Sequence, residues 1–62
     1  MTDVRERLEK MLNVEIIRME EHEDRIIVYV PKNRVKMAVG SGGAAVRSAE
    51  LVLGRKIEVR GA

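Results

Sequence analysis

The chain has 62 residues, 45% of them apolar and 35% charged, and a formal net charge of +2. That length suits one small domain or a piece of one, near the lower limit for a core without staples, and leaves a thin two-layer core rather than a deep pocket. Cysteine is absent, which excludes disulfides and thiolate metal sites, and no apolar run approaches the ~20 residues that span a bilayer.

The first element is an amphipathic helix. Thr2 or Asp3 can cap it, and Val4, Leu8, Met11 and Leu12 form an i, i+4, i+7, i+8 stripe opposite Arg5, Glu6, Glu9 and Lys10. Asn13 ends it. Val14 to Glu20 then reads as a strand, with the adjacent Ile16 and Ile17 interrupting strict alternation. Glu21-His22-Glu23-Asp24 is a turn, and Arg25 to Val30 is a second strand, apolar on both faces and therefore central.

Pro31 stops that strand and opens a short helix with Val35, Ala38 and Val39 inward. After the turn Gly40-Ser41-Gly42-Gly43, a further helix runs over Ala44 to Leu53 on the stripe Ala45, Val46, Ala49, Val52 and Leu53, and Gly54 closes it. Arg55 to Arg60 is the last strand, with Ile57 and Val59 inward. The order α-β-β-α-α-β predicts a two-layer α/β (α+β) domain over 1–62, with a strand-helix-helix-strand core at about 25–60. Its three-stranded mixed sheet pairs the first two strands antiparallel and the outer two of the core parallel, with three helices on one face.

The glycine turn carries the most information about function. Glycines between two short helical segments leave backbone N–H groups uncovered at a helix start, where a phosphate can approach without meeting a side chain. Charge is divided along the chain in the same sense. Residues 1–24 carry four basic and eight acidic groups, net −4, whereas residues 25–62 carry eight basic groups against Glu50 and Glu58, net +6. The turn lies in the positive half, as an anion-binding face requires.

The run Ala38-Val39-Gly40-Ser41-Gly42-Gly43-Ala44-Ala45-Val46-Arg47, continuing through Gly54 to Ile57-Glu58-Val59, resembles the signature of a KH RNA-binding domain. An aliphatic residue, G-x-x-G, two residues and Val-Arg fall in the family's order, and the continuation is similar to type II KH modules of NusA transcription elongation and termination factors. The resemblance implies a type II KH fold that is not an enzyme, without cofactor, metal or catalytic residues. It implies a grip on a few nucleotides of single-stranded RNA or DNA. Carried over by position, Gly40 and Gly43 shape the turn, and the amides of Ser41, Gly42 and Gly43 face the phosphates. Lys36 and Arg47 add charge beside them, and Val39 and Val46 form the groove floor. Two departures weaken the implied affinity: Ser41 and Gly42 supply no basic residue inside G-x-x-G, and the 21–24 loop, one groove wall in such domains, is acidic. A scaffold or protein-interaction module on the same fold is the alternative.

Other readings are narrower. Val35, Met37 and Val39 as a strand, then Gly40-x-Gly42-x-x-Ala45 and Glu58, imitate a dinucleotide-binding βαβ unit, but Pro31 and the short 31–39 segment fit a helix better. His22 lacks metal-ligand spacing, and Glu50 lacks a catalytic partner and reads as a surface residue. Tyr29, Ile27, Met19 and Ile17 are expected to form an apolar patch on the uncovered sheet face, where a neighbouring domain or second copy would dock. The N-terminus lacks a signal-peptide pattern, so the reading is cytoplasmic, with no membrane partner. The high charge and absence of Gln, Phe and Trp occur in thermophile proteins and equally in designed chains.

Overall fold

A computed structural model describes residues 3–62. Helix α1 spans Val4–Leu12; Asp3 caps it in extended conformation, its carboxylate accepting the Glu6 N–H at 2.9 Å. Thr2, the other candidate cap, lies outside the described residues. Asn13 terminates α1 in the left-handed region (φ 58°), its N–H donating to Glu9 O, a conformation that Asn tolerates better than most side chains. Leu8 and Leu12 are buried, as the stripe predicts.

Strand β1, Arg18–Glu21, is shorter than the expected Val14 to Glu20. The reason lies in Ile16, whose N–H donates to Glu9 Oε2 at 2.8 Å and whose carbonyl accepts from Arg5 Nη2 at 2.9 Å. Side chains of α1 thus satisfy both backbone groups while Ile16 itself is buried in the core, so no ladder forms there. Pairing starts with Ile17, whose N–H donates to Tyr29 O at 2.7 Å.

Strand β2, Arg25–Val30, is central, antiparallel to β1 and parallel to β3, Lys56–Gly61. Ile26, Val28 and Val30 point into the core with Leu8, Leu12, Ile16, Ala38, Ala49 and Ile57. After Pro31 a single 3-10 turn, Lys32–Arg34, leads into α2, Val35–Val39, and α3 follows at Ala44–Leu53. Because Val35–Val39 is helical, the strand that a dinucleotide-binding unit needs is absent. Ala38 and Ala49 are fully buried, small enough to let the two helices sit close on the sheet. Val52 departs from its expected inward place and is 56% exposed.

The helix-free sheet face corrects the expected apolar patch. Register places Met19 opposite Val28, on the core side, so Met19 packs against the core instead of joining Tyr29. Across the open face run the rows Glu20–Ile27–Glu58 and Arg18–Tyr29–Arg60. Glu20 accepts from Arg18 at 2.9 Å, and from Tyr29 and His22 at 3.3 Å; Glu58 accepts from Arg60 at 2.9 Å and Arg25 at 3.2 Å. The Arg18 guanidinium lies 4.4 Å from the Tyr29 ring centre. Ile27 is buried beneath this mesh, and Ile17 stands exposed on its own.

Candidate nucleic-acid interface

The turn between α2 and α3 is built from two tight constraints. Gly40 ends α2 at φ 82°, ψ 178°, a region open essentially to glycine alone, and its N–H donates to Lys36 O at 3.0 Å. A Cβ on Gly40 would stand 2.9 Å from both Cβ and N of Ala45, so glycine here also permits the start of α3 to press against the end of α2. Gly42 and Gly43 have φ of 61° and 80°, but a Cβ on either would meet open space. Their glycines answer to backbone conformation alone.

The hydrogen-bond ledger of the turn separates spent from unspent donors. Gly43 N–H donates to Gly40 O at 3.3 Å, and Ala44 N–H to Ser41 O. Among the described residues, the N–H groups of Ser41 and Gly42 have no acceptor, and no side chain caps α3. Of the three amides expected to face a phosphate, the Gly43 amide is therefore engaged inside the turn, leaving two. Ser41 and Gly42 are exposed, so these donors meet solvent, next to the positive end of the α3 dipole.

Lys36 on α2 and Arg47 on the first turn of α3 flank this bend; both are exposed, and neither forms an ion pair among the described residues. Val39 and Val46 are half-buried, and Val46 packs against the core. Sequence reasoning missed the ground beyond Arg47. A shallow open groove there is lined by Arg47, Leu51, Gly54, Arg55 and Lys56, with Asp24 and Glu50. The available signal was Leu51 itself, a large apolar residue off the helix's inward stripe and 81% exposed.

The acidic loop is less free than its composition suggests. Glu20 is held by Arg18, His22 and Tyr29, and Glu21 lies 3.9 Å from Arg55. The hydrogen bond from His22, followed by the Arg18 charge and the Tyr29 hydroxyl, keeps the Glu20 carboxyl below its ordinary value despite partial desolvation. Glu50 corrects the reading as a mere surface residue: half-buried, its Oε2 accepts the Ile57 N–H at 2.8 Å and fixes the entry into β3. Among the described residues no acidic, histidine or cysteine cluster could hold a metal, and no helix is long and apolar enough to cross a membrane.

Comparison with known proteins agrees with this architecture. A solved chain, the subject of "Crystal structure of APE1850", superposes with a TM-score of 0.86 at 24% identity, over 95% of this chain and 44% of that one. This chain therefore spans less than half the length of that neighbour, and the likeness speaks for the fold. No curated protein matches the sequence. The KH domain profile matches residues 2–62, and with α-β-β-α-α-β order around a mixed sheet the chain belongs to the KH domain family, in its type II form.

Proposed function

We propose that this domain binds single-stranded RNA or DNA weakly, with the Ser41 and Gly42 amides on a phosphate, Lys36 and Arg47 on its neighbours, and Val39 and Val46 beneath the bases. KH domains are nucleic-acid-binding modules without catalytic activity, and that family membership sets the class of partner. The observation that carries the reading to these residues is the pair of solvent-facing amides at the bend, without acceptors among the described residues, bracketed by two cations without ion-pair partners among them. Backbone donors with no side chain in front recognise a phosphate through geometry, so they add affinity without base preference. The absence of a basic residue at 41 and 42 removes one charge-assisted contact and sets affinity low. The bend itself covers about four nucleotides, and tandem domains or a larger host protein would raise the affinity.

Titration of short oligonucleotides at low and moderate salt, followed by amide chemical shifts, tests this. Binding should weaken as salt rises, and the largest shifts should fall on Ser41, Gly42 and their neighbours. Replacing both Ser41 and Gly42 by Asp should abolish binding while the fold survives. Binding unaffected by that pair would move the contact elsewhere, and no binding at low salt would favour the protein-interaction role.

A further inference from the structure

We propose that the bound strand does not stop at the bend but continues along the outer face of α3, with Leu51 as an apolar platform under a base and Arg55 and Lys56 on the phosphate beyond. This rests on the reading above and lengthens its footprint. Leu51 lies one helical turn past Arg47, about 6 Å further along the axis, so the groove begins at a residue that flanks the bend and leads away from it. At 81% exposure Leu51 is the most exposed large apolar side chain among the described residues, outside the set that packs against the core.

The chemistry around it favours a polyanion with flat apolar faces. Arg47, Arg55 and Lys56 line the same groove, and Lys56, like Arg47, has no ion-pair partner among the described residues. Two carboxylates, Asp24 and Glu50, share the lining with three cations, and Glu50 is turned to the Ile57 N–H. The Arg55–Glu21 contact is long, at 3.9 Å, and both side chains are more than two-fifths exposed, so a phosphate can replace Glu21 at little cost. Cations on either side of an exposed apolar residue form a sequence-tolerant track, since every base offers a face and every nucleotide a charge.

The experiment is fluorescence anisotropy with labelled oligouridylates of about four and about eight nucleotides, on the parent chain, on Leu51→Asp, and on the pair Arg55→Ala with Lys56→Ala. The longer oligonucleotide should bind roughly tenfold more tightly than the shorter after correction for extra registers, with a steeper salt dependence, by roughly 0.7 in log–log slope per added phosphate. Both variants should erase most of that gain and leave the shorter oligonucleotide unchanged; because the altered side chains are exposed, circular dichroism should report an intact fold. No gain with length, or a gain that the variants keep, overturns the proposal. Failure of both oligonucleotides to bind overturns the bend as the contact, and this extension with it. Should Leu51→Asp change only the sedimentation of the protein, the patch is a protein contact and the proposal falls.

Discussion

Helix α3 begins and ends at glycine, yet its two ends are opposite in character. At the exit, Gly54 N–H donates to Glu50 O at 2.8 Å, and the Glu50 carboxylate takes the Ile57 N–H three residues on. Helix α1 leaves in the same way, with Asn13 in place of Gly54, Glu9 in place of Glu50 and Ile16 in place of Ile57. At the entry, no side chain among the described residues reaches back, and two amides stay without acceptors among them. The difference teaches what a glycine stands for in this chain. Where an acid sits four residues earlier, the bend is closed and serves stability. Where none does, the bend is open and its donors remain available.

The largest effect should separate steric from conformational demand. Gly40→Ala puts a Cβ 2.9 Å from Ala45 in a glycine-only backbone region, and should cost about 3 kcal/mol, a Tm fall of more than about 10 °C in calorimetry. Gly54→Asn has open space and the precedent of Asn13, so urea unfolding should register less than about 1 kcal/mol. Equal losses at the two sites would break the distinction.

Next come the acids of the closed bends. Glu50→Ala leaves the part-buried Ile57 N–H without its acceptor, and should cost about 1–2 kcal/mol in urea unfolding; Glu9→Ala, which strands Ile16 N–H, should fall in the same range. A loss at one and none at the other would show that the two exits are alike only in outline. At the open bend, Ser41→Lys should leave Tm unchanged within about 2 °C and raise oligonucleotide affinity several-fold, roughly the contribution of one added phosphate contact.

The smallest effect is on pH. Glu20 is held below its ordinary carboxyl value of 4.5, so its contribution to stability is complete above that pH and disappears as pH falls through the lower folded-state value. Glu20→Gln should therefore narrow the difference in urea midpoint between neutral and acidic solution by a small amount. A widened difference would contradict the assigned direction.

Much of this was legible in the residues. Arg25 to Val30 reads as the central strand because it is apolar on both faces, and Pro31, Gly54 and Asn13 mark boundaries through fixed backbone preferences. What was hidden depended on partners distant in sequence. Ile16 looks like strand but is claimed by Arg5 and Glu9 of α1. The face of Met19 is not legible from alternation, because register, which pairs Arg18 with Tyr29, decides the side, and a one-residue shift inverts it. Glu50 looked idle because its acceptor role appears only once the chain returns seven residues later. Its clue was nevertheless present, in the shared spacing of Glu9, Asn13 and Ile16 with Glu50, Gly54 and Ile57. At the candidate site, the glycines and flanking cations were readable from spacing, whereas the loss of the Gly43 amide to Gly40 was visible only in three dimensions.

The ionic mesh over Ile27 gives the domain a back. Any neighbour laid flat on that surface would have to strip water from Glu20 and Glu58 and their arginines, while Ile27 is already buried and Tyr29 half-buried, an exchange with little to favour it.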